Sequence, residues 1–258
     1  MSYETISYAV REDVAIVTLD RPDVLNALST RMRAEITDAA KRAPGEARAL
    51  VLTGRGRAFC SGQDLGDRTS LAASDLERTL RDEYVPMIEA VANCGVPTIA
   101  AVNGPAAGAG ANLALAADVV IASEAAVFLQ AFTRIGLIPD AGGTYWLPRQ
   151  IGFARAMGAA LFAEPVPARQ AADWGMIWEA VPDEGFAEAW WRRARQLASG
   201  PTLTYRNLKR ALREGMANDV SAQLLLEAEL QGELGETRDF KEGVLAFLEK
   251  REARFEGR

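Results

Sequence analysis

A stretch dense in glycine and alanine, residues 104–144, constrains this chain more than any other segment. It reads GPAAGAGANLALAADVVIASEAAVFLQAFTRIGLIPDAGGT and closes on a carboxylate, Asp140, just ahead of Gly142 and Gly143. Residues this small let a backbone come very close to a ligand and leave N–H groups pointing outward. An acid placed shortly downstream can act where those N–H groups hold charge. The segment therefore predicts a site built from backbone donors with one acid beside it.

Histidine is absent from all 258 residues, which is the sharpest chemical exclusion in the sequence. Without it the usual Ser-His-Asp and Cys-His nucleophiles cannot form, and the commonest zinc ligand is missing. Only two cysteines occur, Cys60 and Cys94, so we expect no metal site, no disulfide framework and a cytoplasmic location. The net charge of −6 without a basic cluster gives no footprint for nucleic acid. Glycine, an acid and no histidine together favour enolate chemistry over hydrolysis.

Strand-length apolar runs alternate with helical patterns through most of the chain. Helical spacing occurs from Ser29 or Thr30, either of which can cap a helix, to about Arg42, and again over 76–91. After residue 184 only helices are predicted, at about 185–198, 203–215, 219–234 and 238–250. This pattern indicates an α/β core over residues 1–195 and a helical region over 196–258. The predicted strands are Tyr8–Val10, Val14–Asp20, Ala49–Thr53, Thr98–Val102, Val119–Ala122, Val127–Leu129 and Ile177–Val181.

The predicted helix at 219–234 crowds apolar residues such as Leu224 and Leu225 between glutamates such as Glu227 and Glu229. Such a helix needs a partner for its apolar face. That partner is either the core of the same chain or another subunit, and the sequence leaves both open.

One apolar segment raises a membrane-helix alternative. Residues 98–123 are mostly apolar, and Gly104 and Gly108 fit the small-xxx-small pattern of packed membrane helices. Polar residues such as Asn103 and Asp118 interrupt the segment. Because a spanning helix needs about 18 or more apolar residues without such breaks, we expect no membrane segment.

The glycine-containing loop Gly54–Leu65 follows a buried strand, which is where α/β proteins place ligands. A turn without any function is the alternative, because glycine-rich turns are common. Cys60 and Ser61 in this loop are poor nucleophile candidates, since no histidine base and no G-x-S-x-G frame accompany them. The segment Gly104–Asn112 matches neither a dinucleotide fingerprint nor a phosphate loop, because the glycine spacing and the lysine are missing. What remains there is a helix start whose free N–H groups can receive negative charge.

Asp140 has two interpretations. It is either a catalytic acid or simply the N-cap of the helix that follows, since Asp is a favoured cap. The N-cap position would also lower its pKa, which a catalytic base has to overcome through burial.

Together these motifs resemble the crotonase, or enoyl-CoA hydratase/isomerase, superfamily, over the whole chain. The resemblance implies a crotonase-like α/β spiral of ββα units with a C-terminal helical trimerisation region. It also implies a homotrimer or hexamer, with neither nucleic acid nor membrane as a partner. The matching segments are Asp20-Arg21-Pro22 with Asn26-Ala27-Leu28, Gly62-Gln63-Asp64-Leu65, Asn103-Gly104 through Asp118, Ile138-Pro139 with Gly142-Gly143-Thr144, and Glu242-Gly243-Val244 with Phe247 and Lys250-Arg251.

The same resemblance implies an acyl-CoA thioester substrate whose carbonyl oxygen is held by two backbone N–H groups. Carried over by position, those donors are Gln63 and Ala109, and Asp140 would move a proton. Coenzyme A is part of the substrate, so no separate cofactor is expected. The residues expected around the substrate and coenzyme A are Asn26, Ala27, Leu28, Ser61, Gly62, Asp64, Leu65, Gly108, Gly110, Asn112, Phe132, Ile135, Phe247 and Lys250.

Two departures from the superfamily pattern point away from hydration. Hydratases use two glutamates to handle the added water, and the matching positions here are Asn112 and Phe132. Neither can supply the acid and base that water addition needs, so we expect slow hydration. Asp140, in contrast, stands where several isomerases of the superfamily carry an acid.

The string AFTRIGLIPDAGGTYWLPR most resembles the ring-epoxide isomerases of aerobic phenylacetate degradation, which convert 1,2-epoxyphenylacetyl-CoA to its oxepin form and also shift double bonds. Phe132, Ile135 and Trp146 would be walls for a flat acyl group, although Trp146 is equally suited to the core. The alternatives are a Δ3,Δ2-enoyl-CoA isomerase, a weak enoyl-CoA hydratase and a non-catalytic acyl-CoA-binding relative.

Overall fold

Two β-sheets organise the fold in a computed structural model that describes residues 3–64, 66 and 76–258. The six-stranded sheet has the order β1-β2-β3-β4-β6-β9, in which β1 is antiparallel to β2 and the other pairs are parallel. In the three-stranded sheet, β7 lies between a parallel β5 and an antiparallel β8. The strands are β1 (Ile6–Arg11), β2 (Val14–Leu19), β3 (Ala49–Gly54), β4 (Thr98–Val102), β5 (Ala106–Ala107), β6 (Val119–Ser123), β7 (Val127–Leu129), β8 (Val166–Pro167) and β9 (Glu179–Val181).

Helices follow the strands and then form the C-terminal part. Ser29 caps the first helix by accepting a hydrogen bond from the Met32 N–H, as its position predicts. A π-helical segment, Leu80–Tyr84, joins α2 to α3, and a non-helical Gly152 interrupts α5. The helices are α1 (Thr30–Arg42), α2 (Leu76–Thr79), α3 (Val85–Ala92), α4 (Ala109–Leu115), α5 (Gly143–Phe162), α6 (Ala168–Asp173), α7 (Phe186–Ala198), α8 (Thr202–Glu214), α9 (Val220–Gly235) and α10 (Arg238–Glu249).

The large sheet is buried on both faces. Successive side chains of a strand point to opposite faces, so Leu50 and Leu52 of β3 enter the larger apolar cluster with α1 and α3. Ala49 and Val51 of the same strand enter a second cluster, which includes Ala194 of α7. A strand covered on both faces has a continuous run of apolar residues, which is why the sequence ALVLT predicts the buried strand β3. The predicted α/β class is confirmed.

The three last helices leave much apolar surface uncovered in the single chain. Leu226 and Leu230 of α9 are buried, whereas Leu224 and Leu225 are exposed. The predicted boundary at residue 195 falls inside α7, and the division into a core and an oligomerisation region stays a prediction. In the described ranges, none of the helices combines the length and apolar character needed to cross a membrane.

Candidate active site

The first candidate donor, the Gln63 N–H, lies in a loop held against Leu28. Leu28 donates to the Gly62 carbonyl at 2.7 Å and accepts from the Asp64 N–H at 3.2 Å. In this parallel bridge the hydrogen bonds go to the residues on either side of Gln63, so the N–H of Gln63 itself points away from Leu28. It has no acceptor among the residues that the structure describes.

The second candidate donor, the Ala109 N–H, belongs to the first residue of α4. Helix-starting N–H groups have no partner within the helix, and their dipoles favour negative charge. Gly108 precedes it with φ 53° and donates to the Leu129 carbonyl at 2.8 Å, which fixes the start of α4 to β7. The Ala109 N–H therefore has no acceptor among the described residues, and its position is fixed by the hydrogen bond of Gly108.

Gly62 allows the two donor loops to meet. Its φ of 93° favours glycine, and a Cβ at this position would lie 2.8 Å from the Ala107 carbonyl oxygen and 3.5 Å from the Ala109 nitrogen. Any side chain at Gly62 would therefore push the loops apart. The two backbone donors that the resemblance singled out are brought together by this close approach.

Asn26 and Arg21 hold the loop that precedes the first donor. The buried Asn26 side chain accepts from the Arg21 N–H and donates to the carbonyls of Arg55 and Ala58. The Arg21 guanidinium donates to the Asp64 carboxylate at 2.7 Å and forms an ion pair with it. Because the Asn26 side chain is fully engaged, a contact from this loop to a ligand has to come from its backbone.

Asp140 precedes α5 but does not cap it. The N-cap is Gly142, with φ 86° and no side-chain cap, and the Asp140 carbonyl accepts from the Gly143 N–H at 2.8 Å. Oδ1 of Asp140 is buried and has no hydrogen-bond partner in the described part of the chain. The N-cap interpretation is therefore wrong, because Ala141 and Gly142 separate Asp140 from Gly143, the first residue of the helix. Burial raises the pKa of Asp140 to about 6, as a catalytic base near neutral pH requires.

Asn112 connects the second donor loop to Asp140. It lies in α4 three residues after Ala109, about one turn, and its side chain is fully buried. Its Nδ2 donates to the Asp140 carbonyl at 2.7 Å, and its Oδ1 accepts from Nε2 of Gln130 at 2.9 Å. One short helix thus presents the Ala109 N–H and fixes the backbone of the acid.

Asp140 is one of the residues that line a cavity of about 470 Å³. The segment from α2 to α3, which the sequence analysis does not assign to a site, also lines this cavity with residues that include Leu80, Tyr84 and Ile88. Their helical spacing was visible, but only the fold shows that this face meets Asp140. Burial raises the pKa of Tyr84, so its hydroxyl keeps its proton.

The other predicted residues are distributed unevenly. Phe132 lies over Gly108, where a Cβ would be 3.7 Å from its ring, whereas Ile135 is exposed. Burial raises the pKa of Cys60 to about 12, so its thiol stays protonated. Leu65 lies outside the described residues. Phe247 and Lys250 are at the end of α10, and among the described residues they make no contact with the donor loops.

Comparisons with known proteins give a consistent result along the chain. The enoyl-CoA hydratase/isomerase family model matches residues 9–258. The chain is 61% identical over 258 residues, with 100% of both sequences covered, to a Rhodobacter capsulatus protein named probable enoyl-CoA hydratase. It is 44% identical over 260 residues, with 99% of both covered, to 1,2-epoxyphenylacetyl-CoA isomerase of Escherichia coli (strain K12). The crystal structure of enoyl-CoA hydratase from Bacillus anthracis gives a TM-score of 0.91 at 32% identity, covering 99% of this chain and 100% of that chain.

Proposed function

This chain belongs to the enoyl-CoA hydratase/isomerase family, and within that family we propose that it is an isomerase of an unsaturated or ring-epoxide acyl-CoA. The observation that carries the proposal is the single buried carboxylate, Asp140, whose Oδ1 has no partner among the described residues. Asn112 and Phe132 supply no second carboxylate at the positions that hydratases use. One acid can move a proton between two carbons, whereas water addition needs an acid and a base together.

The proposed mechanism begins at the thioester carbonyl. Its oxygen accepts hydrogen bonds from the N–H groups of Gln63 and Ala109, each worth about 3–4 kcal/mol where charge develops in a dry site. The α carbon thereby becomes acidic, and Asp140 takes its proton to form the enolate. Asp140 then returns the proton to the γ carbon, so the double bond shifts from the 3,4 to the 2,3 position with no net gain or loss of atoms.

For a ring epoxide the role of Asp140 differs. Opening of the arene epoxide to an oxepin can be drawn without net proton transfer, so Asp140 would orient the substrate or polarise the ring oxygen. The 44% identity to a protein named 1,2-epoxyphenylacetyl-CoA isomerase supports this substrate. The 61% identical relative named probable enoyl-CoA hydratase favours the weak-hydratase alternative, against which the two missing glutamates count.

The proposal includes a homotrimer or hexamer in the cytoplasm. Its support is the exposed apolar surface of the last helices, with Leu212 of α8, Leu225 of α9 and Leu248 of α10 all more than half exposed. Surfaces of this kind commonly lie between subunits. A sedimentation experiment that finds only monomer at micromolar concentration would contradict this assembly.

Three reactions test the proposed activity. Wild-type protein should convert trans-3-hexenoyl-CoA to the conjugated 2-enoyl-CoA, should act on 1,2-epoxyphenylacetyl-CoA, and should hydrate crotonyl-CoA very slowly. Asp140→Asn should lower the double-bond shift by about 10²- to 10⁴-fold, the usual value of a positioned acid–base group, while keeping affinity for acyl-CoA. Glu89→Gln is the matched control, because Glu89 is an exposed carboxylate at the rim of the same cavity.

Each outcome of that comparison has a clear meaning. Isomerisation at a near wild-type rate in Asp140→Asn would remove the acid from the mechanism. Crotonyl-CoA hydration on the order of 10 per second, a turnover typical of enzymes, would establish the hydratase alternative instead. Acyl-CoA binding without turnover on any of the three substrates would identify a non-catalytic relative.

A further inference from the structure

Trp146 presents a second unpaired polar group beside Asp140. It lies in the first turn of α5, and side chains of a helix point back toward its N-terminus. The indole therefore returns over Gly142, two residues after Asp140. Its Nε1 is buried and has no hydrogen-bond acceptor among the described residues.

Gly142 makes this approach possible. A Cβ at Gly142 would lie 2.6 Å from Nε1 of Trp146, closer than from any other atom of the ring. The ring also borders a second cavity of about 410 Å³, on the side of Gln150 and Leu212. Because Nε1 is the ring atom nearest Gly142, the N–H lies at the end of the indole that faces the Asp140 turn.

The two unpaired groups are complementary. Trp146 offers only a donor, and the ionised carboxylate of Asp140 offers only acceptors. The residues that carry them, Trp146 and Asp140, both line the cavity of about 470 Å³ together with apolar residues such as Leu80 and Ile88. A buried donor and a buried acceptor without partners are costly to the fold, and a ligand oxygen that accepts from one and donates to the other satisfies both.

We propose that the indole N–H of Trp146 donates a hydrogen bond to an oxygen on the acyl group, and that the site thereby selects oxygen-bearing acyl chains or rings over hydrocarbon ones. This inference rests on the proposed function, since it names the substrate class of the same site. A pocket built to hydrogen-bond an oxygen discriminates against the analogue without it, because its own polar groups then stay unpaired. A ring hydroxyl can accept from Trp146 and donate to Asp140, whereas an epoxide oxygen can only accept from Trp146.

Binding of two matched ligands tests the inference. Affinities for phenylacetyl-CoA and 2-hydroxyphenylacetyl-CoA are measured by calorimetry with wild-type protein, Trp146→Phe and Trp178→Phe. Wild type should prefer the hydroxylated ligand by about tenfold or more, the value of one hydrogen bond. Trp146→Phe should bind both ligands about equally. Trp178→Phe, which changes an exposed tryptophan outside the cavity, should keep the wild-type ratio.

The ratio of the two affinities separates recognition from packing. Equal loss of both ligands in Trp146→Phe would show that the indole only fills space, and would overturn the inference. The same conclusion follows if wild type shows no preference, or if the preference survives in Trp146→Phe.

Turnover of trans-3-hexenoyl-CoA and of 1,2-epoxyphenylacetyl-CoA is measured on the same wild-type preparation and reports on the proposed function independently. A preference for the hydroxylated ligand without any turnover would reject the isomerase and keep the role of Trp146. Turnover without a preference would keep the isomerase and reject the role of Trp146.

Discussion

Asp118 and Asp140 border two neighbouring cavities that share the ring of Trp146 and the side chain of Arg213. Asp118 forms ion pairs with Lys209 at 2.7 Å and with Arg213 at 2.8 Å. Asp140 has no ion pair in the described part of the chain, and one of its oxygens has no donor. The first carboxylate is paired with two cations of the protein, whereas one oxygen of the second has no partner among the described residues.

The different surroundings follow from the positions of the two residues in the fold. Asp118 lies between α4 and β6, where it also accepts hydrogen bonds from the N–H and the hydroxyl of Thr98 in β4. It thus ties the sheet to α8, which carries both of its cations. Asp140 is held through its carbonyl by Asn112, while Oδ1 of its carboxylate has no hydrogen-bond partner among the described residues. A satisfied carboxylate stabilises the fold, and an unsatisfied one supports a function at some cost in stability.

The largest effect on stability is expected when the ion pairs of Asp118 are removed. Asp118→Asn should lower the free energy of unfolding by about 3–5 kcal/mol, because Lys209 is then left largely buried without its counter-charge. Urea unfolding measures the change. Glu214→Gln removes a surface ion pair with Arg210 and should cost less than about 1 kcal/mol. Similar losses in the two variants would show that the Asp118 cluster does not hold α8 to the sheet.

Substitution of Asp140 should change the free energy of unfolding in the opposite direction. The raised pKa of Asp140 means that the folded protein binds its proton more tightly than the unfolded chain does. Its contribution to stability is therefore neutral below about pH 4, becomes progressively more destabilising between about pH 4 and pH 6, and is constant above that range. Asp140→Asn removes this penalty, so it should be more stable than wild type at pH 7.5, by about 2 kcal/mol after allowance for partial exposure.

Urea unfolding at two pH values measures this difference. The gain in stability should disappear at pH 4, where wild-type Asp140 is protonated in the folded state. A variant less stable than wild type at pH 7.5 would show that the carboxylate has a structural role.

The rate of isomerisation should also depend on pH through Asp140. As a base it must be ionised, so kcat/KM should fall about tenfold per pH unit below an apparent pKa of about 6. Glu89, which is exposed, is the other carboxylate among the described residues that line the cavity. Tyr84 stays protonated because burial raises its pKa, and Arg213 is paired with Asp118. Glu89→Gln should show the same fall of kcat/KM at low pH. A shift of the apparent pKa in this variant would assign the titration to Glu89.

The smallest effect is expected at an exposed charge. Lys250, at the C-terminal end of α10, is predicted to lie near the phosphates of coenzyme A. Lys250→Ala should weaken acyl-CoA binding about threefold at low salt and not at high salt, because an exposed pair is screened. Lys241→Ala on the same helix is the control. Equal affinities for wild type and Lys250→Ala at low salt would remove this residue from the site.

Several local features of the fold are readable from the sequence because their causes are local. The continuous apolar run Ala49–Thr53 marks a strand buried on both faces, and β3 is found there. Ser29 marks the start of α1, since a cap needs only a neighbouring N–H. The two-residue strands β5 and β8 were not predicted, because strands this short are defined by their partners and leave no periodic pattern.

By itself the sequence determined the family and the α/β class, and it predicted the roles of Asp140 and of the glycine-rich loops. These follow from residue types and short-range spacing, which are present in the linear sequence. The structure decided that Gly142 rather than Asp140 ends the turn before α5, and that Asn112 fixes the acid from a different helix. It also placed the Trp146 N–H over that turn without a partner among the described residues. Burial and hydrogen-bond satisfaction depend on segments far apart in sequence. Only the folded chain could therefore show that Asp118 is paired with two cations, while Oδ1 of Asp140 has no partner among the described residues.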